Sequence, residues 1–199
     1  MGALIAVVGN TGAGKTTFAH QLAKHEGFTC GLEDLMERPF QALFARDLQR
    51  YALANQVDFL LYRAEQERIL RQAPETGVLD GGMDLDFWVF TRLFHEKGYL
   101  SAEEFDLCRR LYTQLRLSLP APEMIIWLQA PLEVLAARYA RRGRPYEIAR
   151  LQDLKDIDRL LQDWLGAGTE AAVVRVDAGR DDPAFCEEIE ALLPRLHAL

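Results

Sequence analysis

The nonapeptide Gly9–Thr17, GNTGAGKTT, satisfies the pattern G-x-x-x-x-G-K-[ST] in full. An apolar run precedes it and a helix-like stretch, TTFAHQLAKH, follows it. In that setting Gly9, Asn10, Thr11, Gly12, Ala13 and Gly14 form a turn whose backbone N–H groups surround phosphate oxygens. The helix N-terminus adds a favourable dipole. Lys15 then reaches the β- and γ-phosphates, the Thr16 hydroxyl can ligate Mg²⁺, and Thr17 closes the loop. The chemistry implied is the binding of a nucleoside triphosphate, although the motif does not name what receives the phosphoryl group.

A second stretch could act on the same ligand. Residues Ala137–Arg150, ARYARRGRPYEIAR, hold five arginines (Arg138, Arg141, Arg142, Arg144, Arg150) against one acid, Glu147. The stretch carries about +4 in a chain of net charge −7, so the remainder sums to about −11. A transferring phosphoryl group spreads charge over its oxygens, and the planar fork of arginine matches phosphate geometry. Arg138 and Arg142 share a helical face. Gly143 ends that helix and Pro145 starts the next. The pattern predicts a lid with basic side chains at its hinge.

Composition narrows the rest. A 199-residue chain that is 49% hydrophobic and 27% charged predicts one soluble domain with its own core. No apolar run approaches the ~20 residues of a membrane span, and the N-terminus lacks the basic region and cleavage site of a signal peptide. Three widely spaced cysteines and four scattered histidines make neither a disulfide framework nor a metal-ligand spacing. An acidic chain has no general basic face for nucleic acid. A cytoplasmic location, with no membrane and no nucleic-acid partner, is expected.

These residues need positioning. Five continuous apolar runs, Ala3–Val8, Gly27–Cys30, Gly77–Leu79, Met124–Gln129 and Ala171–Val176, read as strands buried on both faces. Amphipathic stretches separate them. One carries Leu151, Leu154, Ile157, Leu160, Leu161, Trp164 and Leu165 at helical spacing, another Phe105, Cys108, Leu111, Tyr112 and Leu115. Strands alternating with helices predict an α/β fold with a five-stranded parallel sheet, and ligands beyond the strands' carboxyl ends. There is no N-K-x-D segment for guanine, and LDGGMD is not the signature of an ABC transporter.

The segment RYARRGRPYE resembles the R-x-x-x-R-G-R-x-x-E lid of the deoxyribonucleoside kinases, among them the deoxycytidine, deoxyguanosine and deoxyadenosine kinases and their bacterial relatives. LEDLMERPFQALFARDLQRYALANQVDFLLYR resembles the family's stretch from its catalytic glutamate to Q-x(6)-R, and LDGGMDLDFWVF stands where [DE]-R-S-x-x-x-D-x-x-x-F is expected. The resemblance covers nearly the whole chain and implies a P-loop kinase domain over residues 1–199, with a lid at about 138–147. It implies that Glu33 is the general base, with Lys15, Arg138, Arg142 and Arg144 acting on the transferring group. Gln56, Arg63, Asp86 and Phe90 would contact the base and Glu147 the 3′-hydroxyl. Asp80 would hold Mg²⁺ through water. Arg138, with the loop carrying Arg180 and Asp181, would surround the donor adenine. A homodimer built through helix packing is a further implication.

The chain also departs from that pattern. Gly81 stands where the family has the arginine that contacts its catalytic glutamate and the 5′-oxygen. Ala45 stands where it has a tyrosine on the 3′-hydroxyl. Arg38 and Arg92 are candidate replacements for the missing cation. The reading is ATP- and Mg²⁺-dependent phosphorylation of the 5′-hydroxyl of a small-molecule nucleoside, a purine deoxynucleoside or deoxycytidine. Two alternatives stay open: a nucleotide or other small-molecule kinase of the same fold, for which Arg38 beside Glu33 speaks, and a catalytically weak ATP-binding partner subunit.

Overall fold

The computed structural model describes residues 2–31, 38–142, 150–180 and 184–199, with Arg142 described in its backbone only. Five strands, β1 (Leu4–Gly9), β2 (Phe28–Gly31), β3 (Thr76–Asp80), β4 (Met124–Gln129) and β5 (Ala172–Asp177), form one parallel sheet in the order β2-β3-β1-β4-β5. Every apolar run named above lies within one residue of a strand. β1 is central, and Val7 registers with Asp80 on one side and Ile126 on the other. Asp80 is thereby held beside the strand that feeds the phosphate loop.

Alternate residues of the central strands enter opposite cores, as the two-residue period of a strand requires. Ile5, Val7, Ile126 and Leu128 pack with Phe18, Ala19 and Leu22 of α1 (Lys15–Leu22) and Ile189 and Leu196 of α9 (Cys186–Leu196). Ala6, Val8, Ile125 and Trp127 pack on the other face with Ile157, Leu160, Leu161 and Trp164 of α8 (Leu154–Gly166). Burying such a side chain fully stabilises by about 1.5–3 kcal/mol. The expectation of two-sided burial fails at β5, an edge strand in which only Val176 is fully buried. Its apolar run reads like the others because its inward residues still need the core, while its outer edge has no partner strand. Leu151 also falls outside the buried stripe of α8, in an exposed turn before it.

Beyond β2 come α2 (Gln41–Arg46) and the 23-residue α3 (Leu48–Leu70), whose N-terminus is capped by the Asp47 carboxylate accepting from the Arg50 N–H at 3.1 Å. After β3 the chain makes a one-turn α4 (Met83–Leu85), a π-helical turn over Asp86–Thr91, and α5 (Arg92–Glu96). Then α6 (Ala102–Ser118) begins with a reciprocal Ser101–Glu104 capping box. Helices α3 and α6 clamp the α4–α5 stretch through Leu60, Met83, Phe87 and Cys108. The Phe87 and Tyr112 rings stack there at 4.3 Å. Helix α7 (Leu132–Arg142) follows β4 and carries the arginines Arg138, Arg141 and Arg142.

Candidate active site

The phosphate loop sits between β1 and α1, beyond the carboxyl end of the central strand. Its packing explains its glycines. A Cβ on Gly14, where φ is +95°, would come within 2.9 Å of the Phe185 ring, so this position admits no side chain. Asn10 is buried and anchors the loop: its Oδ1 accepts from the Thr11 N–H at 2.8 Å, and its Nδ2 donates to the Leu154 carbonyl at 2.8 Å. Lys15 Nζ donates to the carbonyls of Gly9 and Asn10 at 3.1 and 3.0 Å. The Thr16 hydroxyl donates to Asp80 Oδ2 at 2.5 Å. Thr17 is exposed. Asp80 also bears on Cys30, whose thiol is pushed up to about 11, by burial first and by the Asp80 charge second.

Arg138 crosses from α7 to the segment after β5. Its Nη1 donates to the Ala178 carbonyl at 2.7 Å and its Nη2 to the Arg180 carbonyl at 3.0 Å. Arg180 is exposed and lies 3.6 Å from Asp177. The arginine expected over the donor therefore forks onto the loop expected to surround it.

A second polar group is built from α3 and the π-turn. Gln56, Arg63 and Glu67 are buried, where spacing alone also allowed a solvated polar stripe. Arg63 Nε donates to Asp86 Oδ2 at 3.1 Å and its Nη1 to Gln66 Oε1 at 3.0 Å. Gln56 Nε2 donates to the Thr91 hydroxyl at 2.8 Å and approaches the Asp86 carbonyl at 3.4 Å. The Thr91 hydroxyl in turn donates to that carbonyl at 2.9 Å. Phe90, half-buried, lies on the same turn. The π-turn is what gathers these groups, since its wider ring sets Asp86 and Thr91 five residues apart on one side.

The chain matches the model of the deoxynucleoside kinase family over residues 5–196. The chain belongs to the deoxynucleoside kinase family. This kinase is 25% identical over 176 residues to a deoxyadenosine/deoxycytidine kinase of Bacillus subtilis, covering 87% of this chain and 81% of that one. It is 27% identical over 184 residues to a deoxyguanosine kinase of the same organism, covering 89% and 87%. A structure of deoxyadenosine kinase from M. mycoides superposes with a TM-score of 0.83 at 20% identity, over 98% of this chain and all of that one. At that identity the superposition speaks for the fold, and the family match makes the protein a kinase of deoxynucleosides.

The kinase thus brings together Gly9–Thr17 with Asp80 at one place, and Gln56, Arg63, Asp86 and Phe90 at another. Of the remaining residues picked from the sequence, Glu33, Arg144, Glu147 and Asp181 lie outside the described residues, as does the Arg142 side chain. Arg38, offered above as a replacement cation, is held by Asp58 through Nε and Nη2 at 2.8 and 2.6 Å, with its guanidinium 4.3 Å from the Tyr62 ring centroid. Arg92 lies over Trp88 at 5.9 Å. Ala45 is exposed on α2. Sequence reasoning missed Thr91 and Gln66, which orient Gln56 and Arg63. It also missed a buried ionic group behind them, in which Arg116 joins Glu67 at 2.8 and 2.9 Å and Asp84 at 2.8 Å. A hydroxyl residue within a mainly apolar stretch, as Thr91 is beside Arg92 in WVFTRLF, was the available signal. Among the described residues no helix is long and apolar enough to cross a membrane.

Proposed function

We propose that this kinase transfers the terminal phosphoryl group of ATP to the 5′-hydroxyl of a purine deoxynucleoside or deoxycytidine. The observation that carries the reading is the segment from Asp80 to Asp86. Its first residue meets the phosphate loop through Thr16, and its last carries the Arg63 pair, so one short stretch joins a donor end to an acceptor end. The B. subtilis relatives are named for deoxyadenosine, deoxycytidine and deoxyguanosine, which supports an acceptor of that kind. The M. mycoides enzyme has been seen with bound dATP and dCTP, which supports a nucleotide on the phosphate loop.

A neutral hydroxyl is a poor nucleophile, and Glu33 is assigned to take its proton as the general base. Lys15, Arg142 and Arg144 neutralise the charge on the transferring group, with residues 138–147 as the lid of a single domain. Arg138 and the loop with Arg180 and Asp181 hold the donor base; Gln56, Arg63, Asp86 and Phe90 hold the acceptor base, and Glu147 the 3′-hydroxyl. Thr16 and Asp80 present hydroxyl and carboxylate oxygens, hard donors that fit Mg²⁺, so these two would hold the ion, Asp80 through water. When bound, the ion supplies charge neutralisation at the phosphate oxygens. Arg38 is engaged by Asp58, which speaks against an acceptor already bearing a phosphate. A homodimer is assigned to the faces of α3 and α6 that expose Leu61, Ile69, Leu107 and Leu117, and light scattering behind a sizing column tests it.

The test of function is coupled, continuous detection of ADP release from ATP and Mg²⁺, run against the four deoxynucleosides and their ribo counterparts. Turnover with one or two deoxynucleosides, lost in Glu33→Gln, is expected. ATP binding without nucleoside-dependent turnover would return the weight to a binding subunit.

A further inference from the structure

Among the described residues Phe185 is the one non-glycine residue with a left-handed backbone, at φ +54° and ψ +31°. An aromatic side chain is costly there, because that conformation crowds Cβ against the following carbonyl oxygen. Such strain persists only where the surroundings hold it, and it gathers at functional sites. Here the surroundings are the phosphate loop. Phe185 is buried, and the tip of its ring meets Gly14: a Cβ built on that glycine would lie 2.9 Å from Cζ and 3.0 Å from Cε2. The same ring meets Phe18 edge-on, with centroids 5.3 Å apart and planes at 63°. Gly14 and Phe18 are the two ends of the first turn of α1, closed by the Phe18 N–H donating to the Gly14 carbonyl at 2.9 Å. The ring therefore bears on both ends of the turn that carries Lys15 and Thr16. As the N-cap residue, Gly14 has no side chain to cap that turn. Its N–H groups are left for phosphate, and its position is left to packing. On its own side Phe185 opens α9: its carbonyl accepts from the Ile189 N–H at 2.9 Å, and Ile189 is fixed in the core that α1 shares.

We propose that Phe185 is a positioning residue for phosphoryl transfer: its ring sets the first turn of α1, and the left-handed backbone at 185 is retained because it delivers the ring there. The assignment rests on the kinase reading for its effect on rate, but not for its effect on ATP binding. It is distinct from the role of Arg138, which grips the Ala178 and Arg180 carbonyls on the side assigned to the donor base. A displaced turn misplaces Lys15 and Thr16 together, so the loss falls on the donor and not on the nucleoside.

Variants at this position separate ring from backbone. Phe185→Ala removes the ring and keeps the strain, and Phe185→Gly removes both. Phe185→Tyr keeps the ring and the strain but adds an oxygen to Cζ, the atom nearest Gly14. In urea unfolding Phe185→Gly should have a higher midpoint than Phe185→Ala, because glycine takes the left-handed conformation freely. All three should weaken ATP binding by calorimetry and lower kcat/KM for ATP by about ten- to a hundredfold, the cost of a misplaced reacting group. KM for the deoxynucleoside should stay nearly unchanged. Phe185→Leu, which restores bulk without adding to the tip, should recover part of the loss. Hydrogen exchange without nucleotide should quicken at the amides of Gly9–Thr17 in Phe185→Ala, and not in Arg138→Ala. Donor constants that merely follow the urea midpoints, with Phe185→Gly binding ATP better than Phe185→Ala, would make Phe185 a core residue only and overturn the assignment. So would a Phe185→Tyr enzyme that matches the unmutated one, or loop amides whose exchange does not change. An unmutated protein that turns over no deoxynucleoside overturns the kinase reading, while the exchange measurement still decides for or against Phe185.

Discussion

The Thr16 hydroxyl donates to Asp80 Oδ2 at 2.5 Å, joining the first turn of α1 to the end of β3. The pair is the meeting point of the phosphate loop with the segment that leads to Asp86. Asp80→Asn keeps the hydrogen bond but removes the charge. The expected result is ATP binding that no longer strengthens with Mg²⁺, and Mg²⁺-dependent turnover lower by about 10–100-fold, the usual cost of an outer-sphere partner. Titrating Mg²⁺ at fixed ATP, by calorimetry and by rate, checks both. Unchanged Mg²⁺ dependence would remove Asp80 from the ion's surroundings.

The fork of Arg138 onto the Ala178 and Arg180 carbonyls makes it the brace of the loop after β5. Hydrogen bonds from a charged donor contribute about 1.5–3 kcal/mol each way they are cut. Arg138→Ala is therefore expected to raise KM for ATP by about tenfold or more while leaving the KM for nucleoside nearly unchanged. Arg138→Lys should not restore it, because one ammonium cannot reproduce the planar fork. An effect on kcat alone, with donor KM intact, would place Arg138 at the transferring group instead.

Thr91 has one hydroxyl hydrogen, and the Asp86 carbonyl takes it. Toward Gln56 the oxygen can then only accept, which turns Gln56 Nε2 inward and leaves Oε1 on the other side, beside Asn55 Nδ2 at 3.3 Å. A flipped amide would set two carbonyl oxygens 3.4 Å apart. Thr91→Val preserves shape and removes the hydroxyl that accepts from Gln56, which leaves the direction of the amide to the weaker contact with the Asp86 carbonyl. The expectation is a loss of about 1–3 kcal/mol in urea unfolding for the unsatisfied buried groups. The ratio of kcat/KM between amino-bearing and carbonyl-bearing bases should also shift by at least threefold. A ratio that stays fixed would confine Thr91 to packing.

Much of this arrangement was legible in the sequence because it is written in local patterns. The strand–loop–helix around Gly9–Thr17 needs only chain order, and the five strands reveal themselves as apolar runs. What stayed hidden depends on neighbours distant in sequence. Gln56, Arg63 and Glu67 lie on one face of α3, and nothing local distinguishes a solvated stripe from one covered by α4–α6. The π-turn at Asp86–Thr91 has ordinary helix-tolerant residues, so its wider ring could not be read from spacing, which implied a plain i, i+4 relation for Asp86 and Phe90. The edge position of β5 is likewise invisible in a run of valines. The fork of Arg138 onto backbone carbonyls leaves no trace in residue types at all.

Glu67 and Arg116 supply the last prediction. Glu67 is wholly buried and its carboxyl is raised above the ordinary range, by burial first. Arg116 opposes that rise and the nearby Asp84 adds to it. Asp84 also accepts from the Tyr112 hydroxyl at 2.7 Å, so the group ties α3, α4 and α6 together behind Arg63. Removing the cation alone strands two carboxylates, and Arg116→Met is expected to cost about 3–5 kcal/mol in urea unfolding at pH 7.5. The pH dependence has a definite sign. A carboxyl whose folded pKa lies above its unfolded value stabilises most below the unfolded value, near 4.5, and less as pH rises. Arg116→Met raises Glu67 further, so its deficit should shrink as pH is lowered from 7.5 toward 5. Glu67→Gln, which resembles the protonated acid, should cost less than Arg116→Met at pH 7.5. A deficit that is the same at both pH values would mean that Arg116 serves α6 by packing rather than by neutralising Glu67.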